Sequence, residues 1–212
     1  MNTRRLLLLG TAATLAMPAM SSSRRTLAAM TDGPFYPSRD WRERNGAQDN
    51  DWDADLTRVQ RHGRVLEARG ERLGLDLLVT DSAGRLIDGA EVEIWQCDAL
   101  AAYRHPRVPL EAGRYDEGFQ GFGAARSDRQ GTLAFLTIRP VPYPGRTPHI
   151  HVKLRHAAFG ELSSQLFVAG DPGNAGDFLY RMLPDAARRR LTVAVVPAGR
   201  GLSGRFDVVL GA

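Results

Sequence analysis

Cysteine is almost absent from this chain, which contains one, Cys97, in 212 residues. A single thiol cannot close an intramolecular disulfide, and it cannot supply the several thiolates that hold a structural zinc ion or an iron–sulfur cluster. Any metal ion bound within one chain would therefore take nitrogen and oxygen ligands.

The chain also lacks an excess of charge of one sign once its first 30 residues are set aside. Those residues contain four of the 28 basic residues and none of the 24 acidic ones, so 24 residues of each sign remain. The basic side chains are almost all arginine, and Lys153 is the sole lysine. A neutral domain gives no support to nucleic-acid binding, and no nucleic-acid partner is expected.

Long apolar runs are missing as well. The apolar segment 6–17 follows Arg4 and Arg5 and is too short to span a bilayer comfortably. This order predicts an export signal over residues 1–30, and the paired arginines resemble a twin-arginine signal, with an ordinary secretory signal as the alternative. Cleavage within 16–19 or within 27–29 fits the small residues there. We expect an exported, periplasmic protein whose mature form has no stable membrane span.

A single domain is predicted over residues 31–212, because that length suits one core and is short for two. Residues 31–55 are rich in turn residues and charges, and we expect them to form an extended N-terminal arm. From residue 73 onward, short alternating or apolar runs indicate an all-β fold, an antiparallel β-sandwich. The predicted strands are Leu73–Thr80, Ala90–Gln96, Thr132–Ile138, His149–Arg155, Ser163–Val168, Leu191–Val196 and Arg205–Leu210.

Shorter signals fill in the connections between these strands. One or two short helices are expected, at Asp177–Met182 and Pro184–Arg190. Turns at Asp81–Gly84 and Asp128–Gly131 are predicted to link neighbouring antiparallel strands, because Asp early and Gly late favour a tight turn. The prolines within 139–148 predict a stiff loop, since each fixes φ and removes a backbone donor.

His149 and His151 suggest a metal site within this framework. On a β-strand, two residues separated by one other point to the same face, so both imidazoles would converge. Tyr143 lies six residues earlier in the proline-rich loop, close enough for a folded-back chain to bring it to the same point. Taken alone, the pair could equally be two surface or hydrogen-bonded histidines.

Several motifs together resemble one enzyme family. The chain is similar to the intradiol ring-cleavage dioxygenases, most of all to the protocatechuate 3,4-dioxygenase type, from about Thr31 to its end. The motifs that carry the resemblance are Gly33-Pro-Phe-Tyr36, Ile94-Trp-Gln96, Tyr103-Arg-His105, Arg139-Pro-Val-Pro-Tyr-Pro144, Pro148-His-Ile-His151, Ser164-Gln-Leu-Phe167, Gly170-Asp-Pro172 and Arg205-Phe-Asp-Val-Val-Leu210.

The resemblance implies a mononuclear, non-haem ferric ion held by two tyrosinates and two histidines. Residue by residue, these ligands correspond to Tyr103, Tyr143, His149 and His151. The donor types agree with this ion, because phenolate is a hard anionic donor that suits a hard, highly charged cation. A bound cation also stabilises the phenolate, which otherwise forms only near pH 10.

The resemblance further implies the chemistry and its residues. Tyr143 is expected to accept a proton from a catechol-type substrate, and Arg146 to stabilise negative charge on the ring. Gln165 is expected beside the substrate, and Thr31, Gly33 and Pro34 at the mouth of the pocket. Reaction with O2 would break the bond between the two hydroxyl-bearing carbons and give a cis,cis-muconate-type diacid. Members of the family commonly associate, so a homo-oligomer is possible.

Two other functions compete with this hypothesis. The first is an exported β-sandwich that binds a metal or another ligand without turnover. The second is a hydrolase with a zinc ion on the histidine pair, since such pairs are frequent zinc ligands. A red-brown colour after ferric loading and uptake of O2 would distinguish the dioxygenase from both.

Overall fold

The structure is a computed structural model that describes residues 26–46, 52–105, 107–108 and 113–211. Most of the predicted export signal, residues 1–25, lies outside the described residues. The strands are β1 Arg58–Arg61, β2 Arg64–Glu67, β3 Arg72–Asp81, β4 Glu91–Trp95, β5 Phe122–Arg126, β6 Thr132–Ile138, β7 His149–His156, β8 Gly160–Val168, β9 Thr192–Val193, β10 Val195–Ala198 and β11 Gly201–Leu210. The α-helices are α1 Arg39–Gly46, α2 Phe178–Met182 and α3 Asp185–Leu191, with a short 3-10 turn at Pro172–Ala175.

Two sheets pack face to face, which confirms the predicted β-sandwich. One sheet has the strand order β10-β11-β3-β6, and the other has the order β5-β4-β7-β8-β9. Most pairs are antiparallel, as predicted, but β11 pairs with β3 and β8 with β9 in parallel. Each of the two sheets is therefore mixed, because it contains one parallel pair beside its antiparallel pairs.

The core between the sheets follows from alternation along the strands. In β3, Leu73, Leu75, Leu77 and Val79 are at most 2% exposed, while the residues between them face away. Successive side chains of a strand point to opposite faces, so this spacing of two gives one apolar face. The five-stranded sheet contributes its own apolar face to the same cluster, through Val92, Ile94, Ile150, Val152, Leu154 and Leu166.

The opposite face of the five-stranded sheet, called here the outer face, carries polar residues in rows across β4, β7 and β8. The row at one end is Trp95, His151 and Gln165; the next is Glu93, Lys153 and Ser163; the third is Glu91, Arg155 and Glu161. Directly paired residues share a face, so each row is a set of side-chain neighbours. The outer face thus brings both predicted histidines and Gln165 to one end of the sheet.

The N-terminal arm covers this outer face. Asp32 pairs with Lys153 at 2.7 Å, and Tyr36 donates to Glu93 at 2.7 Å. Part of the arm is the helix α1, which the prediction of an extended arm missed. Its sequence, RDWRERNG, has no apolar period, and it docks instead through Arg42, which pairs with Glu93 at 2.9 Å.

Thr26–Met30, the last five residues of the predicted export signal, pack against the domain. The Leu27 N–H donates to the Val209 carbonyl at 2.9 Å, and the Met30 N–H donates to the Ser163 carbonyl at 2.8 Å. Leu27 is 6% exposed and belongs to the main core. Removal of residues up to 27–29 would break the contact that Leu27 makes.

Both predicted turns form, but their predicted partners were wrong. Asp81–Gly84 leads from β3 in one sheet to β4 in the other, and Asp128–Gly131 leads from β5 to β6, again between sheets. Turn residues specify a tight reversal, not which sheet the next strand joins. The two helices expected near the C-terminus are confirmed as α2 and α3. Among the described residues, no helix combines the length and apolar character needed to cross a membrane.

Candidate metal centre

The rings of Tyr103, Tyr143, His149 and His151 form a closed circuit at one end of the outer face. Each ring is in contact with two of the others. The ring centroids are 5.5 Å apart for Tyr103 and Tyr143, 5.4 Å for Tyr143 and His149, 4.9 Å for His149 and His151, and 6.3 Å for His151 and Tyr103. The four residues predicted as ligands, which span 49 positions of sequence, therefore lie together in one cluster.

Three of these side chains carry a buried polar atom without a hydrogen-bond partner in the part of the chain that the structure describes. The atoms are Tyr103 Oη, His149 Nε2 and His151 Nδ1. A buried, unpaired polar atom is costly, at about 1–3 kcal/mol, so its presence needs an explanation. A ligand that all three atoms contact would supply one.

The tautomer of His149 is fixed by its neighbour. Its Nδ1 lies 2.7 Å from the Thr147 carbonyl, which can only accept a hydrogen bond. Nδ1 therefore carries the proton, and Nε2 presents a lone pair to the cluster. A hydrogen bond of this kind orients metal-binding histidines in many proteins.

Burial keeps both imidazoles neutral. It lowers the pKa of His149 to about 4, with a further contribution from the positive charge of Arg146. Burial also lowers the pKa of His151 well below its ordinary value, together with the charges of His149 and Arg146. Neutral imidazole is the form that binds metal ions, so these histidines are ready to act as ligands at neutral pH.

Burial has the opposite consequence for Tyr103, which is 4% exposed. It raises the pKa of the phenol well above its ordinary value, and the nearby Cys97 and Tyr143 raise it further. In the absence of a cation, the phenol therefore stays protonated. A bound cation would reverse this preference and stabilise the phenolate.

Tight turns position both tyrosines. Tyr103 follows a turn in which the Asp98 carboxylate accepts from the N–H groups of Leu100 and Ala102, at 2.8 and 2.9 Å. Tyr143 begins a second turn, in which the Arg146 N–H donates to the Tyr143 carbonyl at 2.9 Å. This turn folds the proline-rich loop back toward β7, as the sequence predicted.

Arg146 lies beside the circuit and is held from several sides. Its Nε donates to Asp177 at 2.8 Å, and its Nη2 donates to Gln165 Oε1 at 2.6 Å. Its Nη1 is 3.5 Å from the Tyr143 hydroxyl. The amide of Gln165 then donates to the Thr31 carbonyl at 3.1 Å. The structure thus brings Arg146 and Gln165, both predicted as site residues, to the cluster.

The arm and the sheet complete the walls. Gly33 has a positive φ of 71°, a conformation that favours glycine, and a Cβ there would lie 3.2 Å from His151 Cε1, so the space is tight as well. Phe35 stacks on Tyr103 with a centroid distance of 4.6 Å, and Trp95 stacks on His151 at 4.8 Å. Sequence reasoning placed Gly33 at the pocket mouth but assigned no site role to Phe35 or Trp95.

Asp177 was also missed as a site residue. The sequence signal at this position is that of a helix start, and it caps α2 by accepting from the Tyr180 N–H at 3.0 Å. Its pairing with Arg146 joins positions 31 residues apart, which spacing alone does not reveal. Among the described residues, His62, His105 and His156 do not join the circuit of rings.

The four rings are the donors available at this point. Within the described ranges, no group of three or more His, Cys, Asp or Glu side chains is arranged to hold a metal ion. A site of ordinary zinc type, with three such ligands, is therefore not found among these residues. The tyrosines are what distinguishes this cluster.

Comparisons with known proteins find a matching family model and named relatives. The family model described as Dioxygenase matches residues 41–212. The protocatechuate 3,4-dioxygenase beta chain of Burkholderia cepacia is 35% identical over 179 residues, which cover 78% of this chain and 74% of that one. Hydroxyquinol 1,2-dioxygenase of Corynebacterium glutamicum is 26% identical over 171 residues, which cover 68% of this chain and 54% of the relative.

Solved structures show the same fold. The dioxygenase domain of a dioxygenase–carbohydrate-binding protein fusion from Streptomyces sp. SirexAA-E has a TM-score of 0.64 at 26% identity, covering 89% of this chain and 99% of that domain. An intradiol ring-cleavage dioxygenase from Tetranychus urticae has a TM-score of 0.63 at 20% identity, covering 89% and 95%, and it supports the fold alone. The family model matches most of the chain, one relative is 35% identical, and the structure brings two tyrosines and two histidines together. The chain therefore belongs to the intradiol ring-cleavage dioxygenase family.

Proposed function

We propose that Tyr103, Tyr143, His149 and His151 hold a mononuclear ferric ion, and that the chain uses O2 to open a catechol-type ring. The observation that carries the proposal is the closed circuit of four rings with three buried, unpartnered polar atoms. Two nitrogen donors and two phenolic oxygens suit a hard trivalent cation, and the chain belongs to a family of dioxygenases.

A bound ferric ion would supply the positive charge that binds both oxygens of an aromatic diol and makes their deprotonation easier. The protein's own groups do the rest. Tyr103 is buried, whereas Tyr143 is partly exposed, so Tyr143 is the phenol that a substrate can reach. We infer that Tyr143 Oη accepts a proton from a substrate hydroxyl, with the Arg146 guanidinium 3.5 Å away.

Arg146 supplies the electrostatic part of catalysis. Ring opening by O2 requires negative charge to develop on the substrate ring, and a fixed cation beside the ring stabilises it. The guanidinium side chain is 8% exposed, so little water screens its charge. Gln165, which is fully buried, holds the Nη2 edge of Arg146 and keeps the cation in one place.

The expected product is a cis,cis-muconate-type diacid that carries both oxygen atoms of O2. The substrates to test are catechol and the two compounds that appear in the names of the relatives, protocatechuate and hydroxyquinol. After ferric loading, an oxygen electrode should record uptake with at least one of them, and labelled O2 should place two heavy atoms in the ring-opened product. Iron binding with no uptake for any of the three would favour the non-enzymatic binder.

The zinc hydrolase makes different predictions. It requires neither phenolate, so Tyr103→Phe would leave its activity intact, and it would show no visible absorption band. Metal analysis after loading with equal amounts of Fe(III) and Zn(II) separates the two. We expect iron and a red-brown colour; a colourless zinc protein that hydrolyses an ester would overturn the dioxygenase.

We also propose that the chain is exported and processed before Thr26. The support is that Leu27 is buried in the main core and that Met30 bonds to β8. The intact mass of the mature protein from the periplasm measures the cut. A mature chain that starts at or before Thr26 agrees with the proposal, and one that starts at Leu27 or later contradicts it.

A further inference from the structure

Arg146 has a fixed orientation, and its contacts show how that orientation arises. Its Nε edge faces Asp177, its Nη2 faces Gln165, and its Nη1 faces Tyr143. The first two contacts are short, at 2.8 and 2.6 Å, and the third is 3.5 Å, at the limit of a hydrogen bond. Nη1 is therefore the edge left to interact with a substrate.

Asp177 is the most rigid of these partners. Its side chain is 0% exposed, and both of its oxygens are occupied by backbone donors. Oδ2 accepts from the Thr147 N–H at 2.9 Å as well as from Arg146, and Oδ1 accepts from the Tyr180 N–H at 3.0 Å. Bonds to two separate backbone segments prevent the carboxylate from rotating, so the direction in which it holds Nε is fixed.

Helix capping does not account for this arrangement. A cap needs one side-chain oxygen, which Oδ1 supplies to Tyr180, and asparagine caps a helix about as well as aspartate. Net stability does not account for it either, because a buried ion pair often gains little once its desolvation is counted. What remains specific to the carboxylate is its second oxygen, which accepts from the Nε of Arg146 as well as from the Thr147 N–H.

We propose that Asp177 is a positioning residue that fixes the guanidinium of Arg146 with its Nη1 edge toward the substrate. This inference rests on the proposed function for its catalytic consequence, but the geometry that it asserts belongs to the metal-free protein as well. Asp177 acts through Arg146 and does not touch the ligand circuit.

The first test is Asp177→Asn, which keeps an acceptor for the Tyr180 N–H and removes the charge. We expect iron content and the visible band to equal those of the wild type, and kcat with the best of the three diols to fall about 10- to 100-fold with little change in KM. The matched control is Asp185→Asn, which breaks an exposed pair with Arg188 on α3 and should leave kcat unchanged. An unchanged kcat in Asp177→Asn overturns the proposal.

A double-mutant cycle separates positioning from folding. If Asp177 acts through Arg146, then Asp177→Asn should cost nothing further in kcat when Arg146→Ala is already present. If Asp177→Asn lowers kcat by the same factor with and without Arg146→Ala, Asp177 has a role independent of Arg146, and the proposal is also overturned. Cooperative unfolding of each variant, measured without metal, establishes that each one folds, even where its melting temperature is lower than that of the wild type.

A spectroscopic readout keeps the test valid even if no diol is turned over. In metal-free protein labelled with nitrogen-15 arginine, the Nε–H of Arg146 should exchange slowly with water, because Asp177 holds it. Arg146→Lys identifies its resonance, and Asp177→Asn should make its exchange fast. Slow exchange that persists in Asp177→Asn contradicts the positioning role. If the wild type shows slow exchange but turns over no diol, that result counts against the proposed function alone.

Discussion

The two halves of strand β7 place very different side chains on the same face of the same sheet. His149 and His151, toward its start, are buried with ring nitrogens that have no described partner. Lys153 and Arg155, toward its end, are each paired with two or more acidic side chains. Over the alternate positions 149 to 155, the side chains on this face change from imidazoles with a nitrogen that has no described partner to charged groups in ion pairs.

The paired end is a network around Glu93, whose side chain is 2% exposed. One of its oxygens accepts from Arg42 and Arg155, both at 2.9 Å, and the other accepts from Tyr36 at 2.7 Å. Arg42 Nε and Asp32 Oδ1 have no hydrogen-bond partner among the described residues, but each of these groups makes another ion-pair contact. This end fastens the N-terminal arm to the sheet.

The two ends of β7 show two different reasons why polar groups are buried. At the paired end, each charge is balanced by protein, so the groups explain architecture. At the other end, buried polar atoms without a described partner lower the stability of the metal-free protein, so they indicate a ligand that would contact them. The same arm serves both ends, since Asp32 and Tyr36 anchor it while Gly33 and Phe35 touch the rings.

The largest effect is expected where a ligand is removed. His149→Ala should lose stoichiometric ferric binding and, with it, measurable turnover, because one of the two nitrogen donors is gone. His156→Ala, at the far end of the same strand, is the matched control and should keep both. Iron analysis and oxygen uptake measure the two effects. Full iron content with normal turnover in His149→Ala would mean that the two ends of β7 do not differ in the way described.

The next largest effect is expected on stability at the paired end. Glu93→Gln leaves Arg42 buried with its charge uncompensated and should lower the free energy of unfolding by about 3 kcal/mol. The control is Asp207→Asn, whose pair with Arg205 is exposed and contributes about 0–1 kcal/mol. Urea denaturation of the metal-free proteins measures both, and equal losses would show that the network is not a structural anchor.

A smaller effect of opposite sign is expected at the unpaired end. Tyr103→Phe removes a buried hydroxyl that has no described partner and should raise the stability of the metal-free protein by about 1 kcal/mol. The same substitution should weaken ferric binding and bleach the visible band. A loss of metal-free stability instead would mean that the hydroxyl already has a partner.

The smallest effect concerns pH. Burial alone would raise the pKa of Asp177, but the N–H groups of Tyr180 and Thr147 and the charge of Arg146 together lower it. A carboxylate with a lowered folded pKa stabilises the protein fully above its unfolded pKa, about 3.9. That contribution is lost as the pH falls through the folded value.

The difference in unfolding free energy between wild type and Asp177→Asn should therefore be constant from pH 7 to about pH 5 and shrink below about pH 4. Urea denaturation at a series of pH values measures it. A difference that grows as the pH falls would show that the carboxylate is not ionised in the folded protein.

Much of the site could be predicted from the sequence because its residues lie on regular elements. Alternation along β7 placed His149 and His151 on one face, and the prolines around Tyr143 indicated a loop that folds back. Tyr103 and Gln165 entered through the family resemblance, since no local period connects them to the histidines. The structure brings all of these residues together.

What escaped prediction depends on contacts between distant segments. Helix α1 has no apolar period and docks through a buried ion pair, so local pattern gave no signal for it. The parallel pairing of β11 with β3 depends on how the whole chain is threaded. Asp177 was predicted only as the first residue of a short helix; in the structure it caps that helix, and only the folded chain brings its second oxygen to Arg146.

The most direct test is a ferric titration of the metal-free protein followed by visible absorption. We predict saturation at one ion per chain, with a broad visible band from tyrosinate-to-iron charge transfer that Tyr103→Phe shifts or bleaches. Ferric binding with no visible band, or a band that Tyr103→Phe leaves unchanged, would contradict the claim that two phenols and two imidazoles share one ion.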